Sequence, residues 1–294
     1  MTPTRAPQAI TPALRQWIVE QARAGFGPEA VLQAMRASGW EESVARQALD
    51  ATLKAQPEFP PQPPASPLQR EPQSQPIPVP EPDLAGSPLY LDAGDRQVQV
   101  LQSLRLPRLV VFGDLLSADE CDALIALAQP RLSRSLTVAT RADGQEVSAD
   151  RTSQGMFFER GETPLVAAIE ARLSRLLRWP ADRGEGLQVL RYGPGAEYKP
   201  HYDYFEPSDP GTATLTRRGG QRVATVILYL SEPRQGGGTV FPELQLEVAP
   251  RRGNAVFFSY DRPHPSSRTL HGGAPVIAGE KWIATKWLRE RAFA

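Results

Sequence analysis

One cysteine, Cys121, stands in the whole chain, so no intrachain disulfide can form and no Cys cluster exists to hold zinc. Histidine is nearly as scarce. His201, His264 and His271 are the entire supply, which confines imidazole chemistry to the last third. No apolar run reaches the roughly 18 residues of a membrane span. The opening MTPTRAPQAITPAL lacks the continuous apolar core of a secretory signal. Excess charge is missing too: Lys plus Arg is 33 and Asp plus Glu is 33. That balance argues against a chain-wide basic surface for nucleic acid. A cytoplasmic protein that does not enter a membrane is the expectation, and 294 residues allow one or two domains.

Proline is abundant instead. Twelve of the 30 prolines fall between Pro57 and Pro88, so the excess is local. PEFPPQPPASPLQREPQSQPIPVPEPDLAGSP has no apolar period and too little apolar surface to offset ordering. Dense proline favours an extended, semi-rigid spacer. Residues 56–88 therefore read as a linker between segments 1–55 and 89–294.

The first segment reads as three short helices. Thr11 and Pro12 are an N-cap and N1 proline, followed by Leu14, Trp17, Ile18 and Ala22 at helical spacing. Gly27-Pro28 restarts the pattern with Val31, Leu32 and Met35, and Gly39 is a stop. Val44, Ala45, Ala48 and Leu49 form the third stripe. With no His and no Cys, the segment reads as an interaction module with a protein partner rather than a catalytic one. The string GFGPEAVLQAMRASGWEESVARQAL resembles a ubiquitin-associated (UBA) three-helix module.

From Leu89 the chain carries a larger core. LPRLVVF is a strand candidate, Ser117 to Glu120 is a capping box that opens a helix, and a second helix runs about Thr163 to Leu177. After Pro180, short β-rich pieces alternate with Gly, Pro and Asp turns. Helices followed by a run of strands indicate an α+β fold, a sandwich or barrel supported by helices.

His201-Tyr202-Asp203 is an H-x-D; on a strand, residues i and i+2 face one way. His271 ends the strand-like SRTLH. Two imidazoles and one carboxylate suit non-haem Fe(II) with open positions. Ten residues on, Lys281 would share a strand face with Ile283, Thr285 and Trp287, opposite Trp282, Ala284, Lys286 and Leu288. A lysine on such a face is costly to bury unless it meets an anion, as a dicarboxylate would provide. The bland reading is a strand-end lysine that snorkels to water. His264, between two prolines, reads as solvent-exposed. The polar stretch EPSDPGTATLTRRGGQ (206–221) reads as a lid, with Arg217 and Arg218 as candidate contacts for a peptide substrate.

LQVLRYGPGAEYKPHYDYF, RVATVILYLSE, GGGTVFPE, GNAVFF and HGGAPVIAGEKWIATKW together resemble the prolyl 4-hydroxylase family of Fe(II)/2-oxoglutarate dioxygenases, over about 190 residues from Pro107. The resemblance implies a double-stranded β-helix (jelly-roll) core. It implies His201, Asp203 and His271 as catalytic iron ligands. Lys281, Tyr192 and Thr225 would bind the far carboxylate of 2-oxoglutarate, with Thr239 beside them and Trp287 at the substrate end. Fe(II), 2-oxoglutarate, O2 and ascorbate are the implied cofactors and cosubstrates. A proline-containing peptide is the implied substrate, hydroxylated as 2-oxoglutarate becomes succinate. The alternatives are an oxygenase of a free amino acid or other small substrate, and a β-barrel binding protein without chemistry.

Overall fold

The computed structural model describes residues 10–23, 27–38, 40–54, 76–134, 137–138, 145–146 and 153–293. The chain divides into two units, Met1–Gln73 and Ser74–Ala294.

The first unit holds three helices, α1 Pro12–Arg23, α2 Pro28–Ala37 and α3 Glu42–Lys54. Thr11 Oγ1 accepts from Leu14 N at 3.2 Å, satisfying one orphan donor at the start of α1. Pro28 opens α2, where its missing N–H costs nothing. Leu14, Ile18, Val31, Leu32, Met35, Ala45, Ala48 and Leu49 form one buried cluster, edged by Trp17 and Trp40. Gly39 and most of the proline-rich stretch, residues 55–75, lie outside the described residues.

The second unit starts earlier than the proline content suggests. Ile77, Val79 and Leu84 pack against its core. Ile77 N donates to Asp261 O at 2.9 Å and Glu81 N to Leu177 O at 3.1 Å. The prolines between them remove backbone donors but leave these apolar side chains free to bury. Residues 76–88, read as linker, are a strap on the folded unit.

Two antiparallel sheets form the centre of this unit. The larger has nine strands in the order Tyr90–Asp92, Gln97–Leu104, Arg108–Gly113, Ala255–Ser259, Arg222–Tyr229, Lys281–Arg289, Leu187–Tyr192, Gln154–Phe158 and Ser133–Arg134. The smaller has four: Leu246–Val248, Thr239–Phe241, His271–Gly273 and Tyr198–His201. The period-2 alternation of Lys281–Arg289 sorts the layers. Trp282, Ala284 and Leu288 join a core built with the helices α4 (Ala118–Ala128) and α5 (Pro164–Leu176). Ile283 joins Leu190, Ile227, Tyr229, Phe241, Val248 and Phe258 between the two sheets. Each such fully buried side chain contributes about 1.5–3 kcal/mol relative to exposure.

The expected capping box is present: Ser117 Oγ accepts from Glu120 N, and Glu120 Oε2 accepts from Ser117 N. Glu120 also pairs with buried Arg172 at 2.6 Å, which joins α4 to α5. Lys286, on the helix side of its strand, pairs with Glu170 of α5. Residues 206–221, read as an irregular lid, contain a short helix, α6 Thr212–Arg217. Among the described residues no helix is long and apolar enough to cross a membrane.

Candidate metal and cosubstrate site

Tyr198–His201 and His271–Gly273 pair in the smaller sheet with His201 directly opposite His271, which sets their ring centroids 4.5 Å apart. The expected route to convergence was partly wrong. His201 ends its strand, and Asp203 lies beyond it rather than two places along one strand. His271 opens its strand instead of ending one. The chain turns after His201 and buries the Asp203 carboxylate, with Oδ1 3.6 Å from His201 Nε2 and Oδ2 3.4 Å from His271 Nε2. One donor atom from each of the three residues lies within 4.8 Å of the other two.

Backbone carbonyls fix both tautomers. His201 Nδ1 lies 2.9 Å from Lys199 O, and His271 Nδ1 lies 2.9 Å from Thr269 O. A carbonyl only accepts, so Nδ1 carries a proton in each ring and Nε2 is the nitrogen that faces Asp203. Burial between Phe241 and Phe258 pushes His271 down to about 4; the Asp203 carboxylate opposes this and His201 adds to it. Burial alone would raise Asp203. His271, His201 and Arg222 outweigh it and hold the carboxyl well below its usual range. Two imidazoles and an ionised carboxylate are the donor set that suits Fe(II). The residues present therefore fit that ion.

A cavity beside the triad is lined by Tyr192, Thr239, Lys281, Ile283, Thr285 and Trp287, among others. Lys281 does not snorkel: it is 2 % exposed. Its Nζ donates to Gly237 O at 2.6 Å and sits 5.1 Å above the ring of Tyr192, its cross-strand partner. Burial pushes this amine down to about 8, against the opposing pull of Glu247. Gly237 has φ +75°, and a Cβ there would come within 3.2 Å of Lys281 Cδ, so glycine permits the approach.

Thr225 is not at the lysine end. It pairs across the sheet with Trp287, six residues and therefore about 20 Å along the strand from Lys281. Its hydroxyl donates to Asp203 Oδ2 at 2.7 Å and lies 3.1 Å from Tyr260 OH. Thr239 lines the cavity and accepts from Tyr229 OH at 2.8 Å. Trp287 is 8 % exposed, its indole N–H has no partner, and the Arg222 guanidinium lies 4.0 Å over its ring. Arg217 and Arg218 do not line the cavity. Arg218 lies 4.0 Å over Phe293 instead.

A buried charge network that the sequence does not announce lies behind the site. Glu185 accepts from Arg222 at 2.7 Å and from Arg289 at 2.9 Å. Burial would raise Glu185, and the two guanidiniums outweigh it and hold it low. Arginines at both ends of apolar strands were the available signal; Glu185, in a turn, carried none. Arg289 also donates to the carbonyls of Leu215 and Arg218, which ties the 206–221 segment to the end of the Lys281 strand. The segment is thus tied down at Leu215 and Arg218. His264 is exposed, as expected.

Residues 187–289, which include the triad and Lys281, match the 2OG-Fe(II) oxygenase superfamily. The chain is 39 % identical over 221 residues to prolyl 4-hydroxylase 5 of Arabidopsis thaliana, covering 68 % of this chain and 74 % of that one. The chain belongs to the prolyl 4-hydroxylase family. It is thus an Fe(II)/2-oxoglutarate-dependent dioxygenase. The dioxygenase is also 43 % identical over 204 residues to prolyl 4-hydroxylase 1 of the same plant, covering 63 % and 70 % of the two chains. Among solved structures, the viral collagen prolyl hydroxylase of Paramecium Bursaria Chlorella virus-1, in its 2OG complex, is 30 % identical. That match covers 62 % of this chain and 95 % of the other, with a TM-score of 0.49.

Proposed function

We propose that the dioxygenase hydroxylates peptidyl proline at carbon 4, with His201, Asp203 and His271 holding Fe(II). The observation that carries this is one cavity shared by two histidines, an aspartate and a buried lysine. Bound Fe(II) supplies activation of O2, coupled to decarboxylation of 2-oxoglutarate to succinate. Lys281 and Tyr192 bind the far carboxylate of 2-oxoglutarate, with Thr239 beside them. The buried ammonium then gains a directly bonded anion beside the more remote pull of Glu247. Apolar Leu190, Ile227 and Ile283 keep water from the cavity walls. Trp287 and half-exposed Phe157, with ring centroids 6.5 Å apart, offer apolar surface to a peptide at the other end. The names of the Arabidopsis relatives favour proline as the residue modified.

Three wider assignments accompany this reading. The stacked antiparallel sheets are a jelly-roll core. Ascorbate restores iron oxidised in uncoupled cycles, and the protein is cytoplasmic. The helices α1 to α3 are a UBA-like module that docks a protein partner, separated from the catalytic domain by the proline-rich stretch. The test is mass spectrometry of a panel of proline-containing peptides after incubation with the full-length protein, Fe(II), 2-oxoglutarate and ascorbate. One added oxygen on a peptidyl proline, with equal succinate release, is expected. Hydroxylation of free proline alone would overturn the peptide assignment.

A further inference from the structure

We propose that Thr225 is the positioning residue of Asp203, and that Tyr260 orients Thr225 in turn. The proposal rests on the triad being the metal site and adds a shell behind it. The polarity of the chain follows from its members. A carboxylate only accepts, so the Thr225 hydroxyl must donate to Asp203 Oδ2, at 2.7 Å. Its proton is then committed, and the 3.1 Å contact with Tyr260 must run from the phenol to Thr225 Oγ1. His201 and His271 each commit the Nδ1 proton to a backbone carbonyl. Thr225 is fully buried and Tyr260 is 2 % exposed, so solvent does not compete with the chain.

The consequence is a carboxylate whose plane is set before a cation arrives. Asp203 stands beyond the end of its strand, so no ladder holds its backbone as it holds His201 and His271. Thr225 stands mid-strand, paired with Phe258 on one side and Trp287 on the other. Its β-branched side chain has few rotamers there, so it presents the hydroxyl rigidly. The rigidity of the larger sheet is thereby lent to the ligand that needs it. Outer-shell donors of this kind typically alter metal affinity by about tenfold to a hundredfold.

The test is anaerobic titration of the full-length protein with Mn(II), a redox-inert probe, followed by the EPR signal of the free ion. Thr225→Val keeps shape and removes only the hydroxyl, and is expected to weaken Mn(II) binding by roughly tenfold or more. Thr225→Ser is expected to restore affinity close to wild type, and Tyr260→Phe to give a smaller loss than Thr225→Val. The KM for 2-oxoglutarate at saturating iron is expected to stay unchanged in all three. Unchanged Mn(II) affinity in Thr225→Val overturns the proposal. So does equal weakness of the Val and Ser variants, which would mark a packing role. A raised 2-oxoglutarate KM with unaltered metal affinity would return Thr225 to the cosubstrate. His271→Ala is titrated in parallel: if it keeps its affinity, the triad assignment itself fails.

Discussion

At the scale of single residues, Lys281 is the side chain whose environment departs furthest from its chemistry. An ammonium with 2 % exposure and one backbone acceptor is costly to bury, and the proposed function gives it an anion. A charge-assisted hydrogen bond in such a place contributes about 1.5–3 kcal/mol, which is roughly tenfold to a hundredfold in affinity. Lys281→Ala should raise the KM for 2-oxoglutarate by at least that factor while Mn(II) binding stays intact; titration of the cosubstrate checks it. The pH dependence has a definite sign. With the free-protein amine pushed down to about 8, the ammonium is present below that pH and lost above it. The KM for 2-oxoglutarate should therefore be flat up to about pH 8 and climb beyond, and a pH series of initial rates shows the break. Stability moves the other way. Between about 8 and 10.5 the unfolded chain binds the extra proton, so the cost of burying this lysine falls and stability rises as pH climbs through that window.

Among the elements, the wall that follows Asp203 depends on the far end of the chain. Arg289 grips the carbonyls of Leu215 and Arg218, Arg291 N donates to Gly219 O at 2.8 Å, and Arg218 stacks on Phe293. Phe293 is only partly buried and lies under the guanidiniums of Arg218 and Arg289, so its removal loosens the clamp while the Arg289 hydrogen bonds remain. Phe293→Ala should speed amide hydrogen exchange in residues 212–218 and leave exchange in the Lys281–Arg289 strand unchanged. Equal exchange in α6 would mean that Arg289 alone holds the wall. This coupling was not legible in the sequence, where 206–221 is simply polar. It depends on which strand ends beside which turn. The same holds for Thr225: its residue type suggested a hydrogen bond, but only the pairing of Arg222–Tyr229 with Lys281–Arg289 decides that the partner is Asp203.

For the molecule as a whole, the strap of residues 76–88 decides where the catalytic unit can be cut. A chain beginning at Ser74 should melt at the same temperature as the catalytic transition of the full protein. One beginning at Leu89 loses the burial of Ile77, Val79 and Leu84 and should melt several degrees lower, since about 1 kcal/mol shifts Tm by roughly 2–4 °C at this size. Differential scanning calorimetry of the two chains checks this. The α+β class, the two main helices and the H-x-D, His and Lys constellation were readable because rare residue types stood at fixed spacing among apolar strands. The strap was not, because its prolines masked an apolar alternation carried by only a few residues. Nor was the turn that brings Asp203 back under the sheet, since parity along a strand says nothing beyond its end.

The pairing of His201 with His271 also bears on how the protein acquires its metal. The two rings lie about 70 residues apart in sequence and meet only when two strands of the smaller sheet close across the whole catalytic unit, a long-range contact of the kind that forms late. Before that closure a nascent chain offers a cation no more than the His201 and Asp203 side chains. Iron is therefore expected to load onto a finished protein rather than template the fold as zinc does a small finger, adding its binding free energy to a native state that the two sheets have already built.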